Sequence, residues 1–199
     1  MDLVEFLNFL GVFVFALTGA LIAARKGMDI FGLVVLALMP AVGGGTLRDL
    51  ILDVPVFWMV DTTYLFLTLL AATICFVAVR FMNRLRPLLL WLDALGLSVF
   101  CALGTAKALA VTGDPVIAVV MGIITAVAGG IVRDVIANDI PLVLQKEVYA
   151  TAAFAGSLGY VLVAPFAPVL ALPTAIVAAF AIRALGIGLG LSLPAVKPD

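Results

Sequence analysis

Seven apolar stretches, each long enough to cross a lipid bilayer as a helix, follow one another along this 199-residue chain. A bilayer core about 30 Å thick takes about 20 mainly apolar residues per helix. Runs that meet this test lie at 4–24, 31–51, 62–82, 88–110, 116–136, 147–165 and 169–191. Between them stand Arg25-Lys26-Gly27-Met28-Asp29, Asp53-Val54-Pro55, Arg84-Leu85-Arg86-Pro87, Thr112-Gly113-Asp114-Pro115, Asn138-Asp139-Ile140-Pro141 and the stretch from Pro165 to Pro168. Gly, Pro and Asp are the residues that end and restart helices. With 65% apolar and only 12% charged residues, the surplus apolar surface has nowhere to go but lipid, since soluble domains run near 45–50% and about 25%. The expected fold is an all-α membrane protein with seven transmembrane helices. The acidic start, Met1-Asp2-Leu3-Val4-Glu5, lacks the basic patch of a cleavable leader and reads as the lip of the first span.

Composition also removes several functions. A net charge of −1 without a basic cluster gives nucleic acid no electrostatic footing. Histidine is absent, and with it the usual neutral-pH proton shuttle and the commonest metal ligand. Cys75 and Cys101 sit singly in apolar runs and read as small packing residues. No nucleotide-binding loop is present, and the expectation is a protein without cofactor, metal or enzymatic activity.

Basic residues in short loops set membrane orientation. With alternating spans, Arg25, Lys26, Arg80, Arg84, Arg86 and Lys197 gather on one side. That side is expected to be the cytoplasm, with the N-terminus outside, in a bacterial-type inner membrane.

The sequence also matches itself when slid by 85 residues. Gly43-Gly44-Gly45-Thr46-Leu47-Arg48-Asp49 falls on Ala128-Gly129-Gly130-Ile131-Val132-Arg133-Asp134. Leu10-Gly11, Phe15, Gly19 and Asp29 fall on Leu95-Gly96, Phe100, Gly104 and Asp114; one inserted residue then brings Pro55 onto Pro141 and Asp61 onto Glu147. Each copy holds three spans, an odd number, so the second enters the membrane inverted. The expected division is 1–87 and 88–166 as inverted three-helix halves, with 167–199 as a seventh helix and tail. Inverted repeats recur in proteins that pass small solutes, with the site near the midplane at broken helices.

Within the repeat, Gly43, Gly44 and Gly45, and Gly129 and Gly130, read as kinks or unwound turns opening onto a wet path; close helix packing is the alternative. Arg48-Asp49 and Arg133-Asp134 are ionisable pairs at bilayer depth, where a charge must face protein or water and find a partner. Lining a vestibule and cross-linking the halves both remain open for them. Lys107 is matched by Ile22 and is either a pore charge or gate, or a lysine snorkelling to the interface. Asp93, matched by Asn8, reads as a helix-start cap, with pairing to Lys146 or a place at the inner mouth as alternatives. Lys146-Glu147 is expected to open the sixth helix, Arg183 to hold the seventh against the bundle, and Trp58, Tyr64 and Trp91 to anchor span ends at the interface.

Together, the doubled glycine and Arg-Asp motif, Asp53-Val54-Pro55-Val56-Phe57-Trp58 and Ile140-Pro141-Leu142-Val143-Leu144-Gln145-Lys146-Glu147 resemble prokaryotic relatives of the trimeric intracellular cation (TRIC) channels, also known as a glycine transporter domain family. The resemblance spans nearly the whole chain. It implies a homotrimer with an hourglass pore in each protomer, permeable to monovalent cations, chiefly potassium. It further implies helices kinked at Gly43 to Gly45 and Gly129-Gly130, with Lys107 and Arg133 in or beside the pore. The sign of the permeant ion is implied by the resemblance and not by the residues. A secondary transporter of a small amino acid such as glycine is the alternative, because half-helix N-termini can hold a carboxylate. A membrane scaffold is a third.

Overall fold

A computed structural model describes residues 2–81, 85–145 and 147–192. Arg84, Lys146 and Lys197, used in the orientation and pairing arguments, lie outside the described residues. Regular structure among the described residues is helical throughout: α1 (Leu3–Arg25), α2 (Ile30–Ile51), α3 (Phe57–Val60), α4 (Thr63–Ala78), α5 (Leu85–Thr112), α6 (Pro115–Ile136), α7 (Ala150–Val163) and α8 (Pro168–Leu189), with single 3₁₀ turns at Val79–Phe81 and Leu142–Leu144. Five of these, α1, α2, α5, α6 and α8, are long and apolar enough to cross a membrane. The runs expected at 62–82 and 147–165 instead give shorter apolar helices, α4 and α7.

Caps explain the boundaries. Asp29 accepts from the Gly32 amide at 2.8 Å, and its repeat partner Asp114 accepts from Val116 and Ile117 at 2.7 and 3.1 Å. These carboxylates satisfy amides that a helix start leaves bare. Pro115 occupies the first position of α6, where a missing N–H costs nothing. Pro87 was expected to mark a break; it lies in the first turn of α5 and is tolerated there for the same reason.

The glycines are contact residues set in continuous helices. Gly43, Gly44 and Gly45 lie within uninterrupted α2, and Gly129 and Gly130 within uninterrupted α6, so the unwound turns expected there are absent. A Cβ at Gly44 would lie 2.0 Å from the Thr125 carbonyl oxygen, and one at Gly129 would lie 2.7 Å from that of Pro40. Only glycine lets α2 and α6 touch backbone to backbone. Since 40 and 125 differ by the repeat distance, the two contacts are counterparts. Two more pairs follow the same rule. Gly11 receives the Phe100 ring and Gly96 the Phe15 ring, with those rings edge-to-face at 5.2 Å. Gly19 faces the Leu36 carbonyl of α2, while Gly104 faces Thr125 and Gly122 of α6.

Pro40 and Thr125 treat the helix ladder in related ways. Proline cannot donate to Leu36, four residues back, and it is that carbonyl which meets Gly19. Thr125 instead turns its hydroxyl back onto the Met121 carbonyl at 2.6 Å; Met121 is the repeat counterpart of Leu36.

The repeat register holds further than the sequence suggests. Asp53 and Asn138 both adopt left-handed backbone, φ 52° and 54°. The amides that follow, of Val54 and Asp139, bond back to the carbonyls of Asp49 and Asp134. The amides of Phe57 and Leu142 then bond to the Asp49 and Asp134 side chains. An offset of 85 therefore persists through residue 142, and no extra residue falls before Pro141. Proline moved by one place while the backbone geometry stayed.

Helix α8 is fastened by Arg183, which is buried. Its guanidinium reaches Glu147 Oε2 at 2.5 Å and the Val148 carbonyl at 3.2 Å, and lies over the Tyr149 ring at 5.1 Å. Glu147 therefore precedes α7 as an ion-pair partner and does not open it. Of the three expected interfacial aromatics, Trp91 is exposed, but Tyr64 is buried between Phe9 and Phe57. Trp58 folds back so that its indole N–H donates to Thr46 Oγ1 at 2.8 Å.

Candidate functional site: two half-sites at opposite ends of the bundle

The C-terminal turns of α2 and α6 each carry an Arg-Asp pair, and each pair closes on itself. Arg48 Nε and Nη2 lie 2.8 Å from Asp49 Oδ1; Arg133 Nε lies 2.8 Å from Asp134 Oδ1. The second oxygen of each aspartate accepts a backbone amide eight residues on, from Phe57 at 3.0 Å and from Leu142 at 3.1 Å. Each aspartate thus fixes its arginine and the chain leaving the helix at once. Neutralising the arginine locally is what makes so deep a charge tolerable.

Beyond this shared frame the half-sites differ. Lys107 of α5 reaches Asp49 Oδ1 at 2.8 Å with its side chain 34% exposed, so it pairs with a carboxylate of α2. At the other end its counterpart is Ile22, and the additional partner is an acid. Asp93 of α5, fully buried, accepts from Arg133 Nη1 at 2.8 Å, and Thr18 of α1 accepts from the same nitrogen at 2.8 Å. One half-site therefore sets two cations on one carboxylate, and the other sets two carboxylates on one cation.

The expectation that Asp93 caps a helix start is overturned: it is the buried partner of Arg133. Its match to Asn8 held the clue, because a polar residue at equal depth in both copies points to a common polar locus. Thr18 and Tyr149 were missed, since a threonine in a helix and a tyrosine at a span end carry no signal of their own. Asp93 Oδ2, Arg133 Nη2 and Tyr149 Oη lack a protein hydrogen-bond partner, and Gly130 leaves room beside the last two. Among the singled-out residues, Arg48, Asp49 and Lys107 come together, as do Arg133, Asp134 and Gly130. Gly43, Gly44 and Gly129 form the crossing between these groups, and Gly45 seats the Phe57 ring.

Two cavities open toward the half-sites. One, of about 330 Å³, is lined by residues including Val4, Asn8, Arg48, Phe57, Tyr64 and Lys107. The other, of about 380 Å³, is lined by residues including Ile22, Arg25, Leu89, Asp134, Asp139 and Leu142. Val4 and Leu89, Lys107 and Ile22, and Phe57 and Leu142 are repeat counterparts, so the cavities are equivalent spaces at opposite ends of the bundle. Between them lies the backbone contact of Gly44 with Thr125 and Gly129 with Pro40. The arrangement is two cavities, one lined in part by Arg48 and the other by Asp134, separated by a tight helix crossing.

Comparison with known proteins identifies the family and the fold. The sequence matches the family model described as Glycine transporter over residues 5–80 and again over 90–165. The UPF0126 inner membrane protein YadS of Escherichia coli (strain K12) is 47% identical over 158 residues, 78% of this chain and 76% of that protein. The UPF0126 membrane protein YvgT of Bacillus subtilis (strain 168) is 36% identical over 160 residues, 77% of each chain. Among solved structures, the TRIC trimeric intracellular cation channel orthologue from Rhodobacter sphaeroides superposes with a TM-score of 0.92 at 41% identity, covering 96% of this chain and 100% of that one. A structure addressing conductance through TRIC cation channels superposes with a TM-score of 0.90 at 33% identity, covering 100% and 99%.

Proposed function

This chain belongs to the Glycine transporter family, and from that premise we propose that it is a cation channel of the TRIC kind, built into a bacterial inner membrane. The observation that carries the proposal is the full-length superposition on a TRIC channel at 41% identity, together with cavities that approach from both ends of one protomer. Potassium is the proposed principal ion and a homotrimer the proposed assembly. The shorter helices α4 and α7 complete a set of seven spans, with the N-terminus outside and the C-terminus in the cytoplasm. The halves 1–87 and 88–166 are proposed to stand inverted in the membrane, and 167–199 to supply the seventh helix and tail.

In this reading the paired arginines and aspartates hold the vestibules open and polar. Lys107 on Asp49 is the movable element at one end, because its side chain is partly exposed where its counterparts are buried. Flux requires α2 and α6 to shift at the crossing of Gly44 and Gly129, with Gly43, Gly45 and Gly130 lining or flanking the path.

Purified protein in liposomes loaded with potassium, sodium, chloride or glycine tests this. Passive potassium flux that rises linearly with gradient, and unitary currents in planar bilayers, are the expected results. Saturable, coupled uptake of glycine without current would instead favour an amino-acid transporter, the reading that the family description suggests.

A further inference from the structure

We propose that Asp139, clasped by Arg25 and Lys26, is an ionic latch that holds the α6–α7 connection across the mouth of one vestibule. The proposal rests on the channel reading for its functional consequence, though the latch itself has a separate readout. Arg25 ends α1 and Lys26 caps it; both reach the Asp139 carboxylate, Lys26 Nζ at 2.6 Å from Oδ1 and Arg25 Nη2 at Oδ2. Arg25 and Asp139 also line the 380 Å³ cavity. The clasp thus joins two loops far apart in sequence over that opening.

The opposite end shows why a latch is needed here. There the connection after α2 is held by apolar packing: the Phe57 ring lies against Gly45 and edge-on to Tyr64, and Trp58 bonds to Thr46. The connection after α6 has no aromatic side chain between Ile136 and Tyr149. Its Ile140 and Leu144 are 69% and 74% exposed. It is held by the Leu142 amide on the Asp134 side chain, by Leu142 and Val143 packed against the core, by Arg183 on Glu147 and Val148 close to α7, and at its near end by the charges on Asp139. The counterparts of Arg25, Lys26 and Asp139 are Ala110, Val111 and Val54, so the clasp exists at one end only. Its side chains are about one-third exposed. Exposed ion pairs are individually weak and screened by salt, which suits a contact that must open and close.

The test uses a Leu142→Cys probe, which leaves the backbone amide on Asp134 in place. The native Cys75 and Cys101 are buried and give little background. Thiol labelling is followed in nanodiscs at low and high potassium chloride, alongside liposome potassium flux. Asp139→Asn is expected to speed labelling and flux by about threefold to tenfold at low salt, the size expected for two weak ion pairs, and by far less at 1 M. Asp139→Lys combined with Arg25→Asp and Lys26→Asp is expected to restore slow labelling. Equal labelling of Asp139→Asn and the parent at low salt, with flux intact, overturns the latch. Faster labelling with no potassium flux in any variant upholds the latch and overturns the channel reading instead.

Discussion

Adjacent glycines in α2 have unlike roles, and single methyl groups separate them. At Gly43 the nearest atom to an added Cβ is 3.5 Å away, ordinary contact, whereas at Gly44 it is a backbone oxygen at 2.0 Å. Gly43→Ala is therefore expected to leave thermal unfolding of the purified protein nearly unchanged. Gly44→Ala should destabilise by about 1–3 kcal/mol, the range for overpacking a close contact, and should reduce potassium flux. Equal effects at both positions would contradict the crossing described. Asp93 carries a similarly specific expectation. Removing one partner of a buried charge pair costs about 3–5 kcal/mol, moderated here because Asp134 still faces Arg133. Asp93→Ala should lower the unfolding midpoint far more than Asn8→Ala at the counterpart position. Lys107→Met leaves Asp49 paired with Arg48, so folding should change by no more than about 1 kcal/mol. Flux read in the same preparation should rise if Lys107 is the movable charge.

Elements in this protein are joined by polar fasteners set in apolar faces. Lipid is as apolar as leucine, so burying side chains between helices gains little, and close contact with hydrogen bonding must do the joining. Arg183 is the fastener of α8. Arg183→Leu is expected to leave Glu147 unpartnered and to loosen α8, seen as faster proteolysis or hydrogen exchange in 168–189 than in α1. Unaltered exchange there would show that small-residue packing, such as Gly156 against the Ala175 carbonyl, suffices. The late start of α7 goes with the same fastening. The residues flanking α7 are spent on the Arg183–Glu147 pair and on the Tyr149 contact, which draw the chain away from helical continuation.

At the scale of the whole molecule, the two copies of the repeat meet along α1–α5 and α2–α6, and the contacts of Gly11, Gly19 and Gly44 recur 85 residues on at Gly96, Gly104 and Gly129. Their likeness ends where charge is concerned. Lys107 and Asp93 sit at positions whose counterparts are uncharged, and the Arg25–Lys26–Asp139 clasp closes one end alone. The expected behaviour is a path with equivalent walls and unlike doors. Exchanging Lys107 with its counterpart, as in Ile22→Lys with Lys107→Ile, should move the partly exposed cation from the Asp49 end to the Asp134 end while the salt-sensitive clasp stays where it is. Unchanged sidedness to membrane-impermeant thiol probes at the two vestibules would contradict this.

The chain's own pattern of residues settled its class, an all-helical membrane protein, and it is the source of the proposed plan. Apolar run length follows from bilayer thickness, and a repeat with an odd number of spans leaves few topologies to choose from. Arg48, Asp49, Arg133 and Asp134 stood out because charges at such depth are costly without partners. What those partners are was decided by the tertiary structure. Asp93 lies 40 residues from Arg133 along the chain and Thr18 lies 115 away, and only the packing of α5 against α6, and of α1 against α5, brings them within reach. The same holds for the glycines. A run of glycine reads equally as a weak helix or as a permitted close approach, and the choice rests on whether another backbone arrives to fill the space. Here one does, from Thr125 and from Pro40, because helices surrounded by lipid gain most from touching where no side chain intervenes.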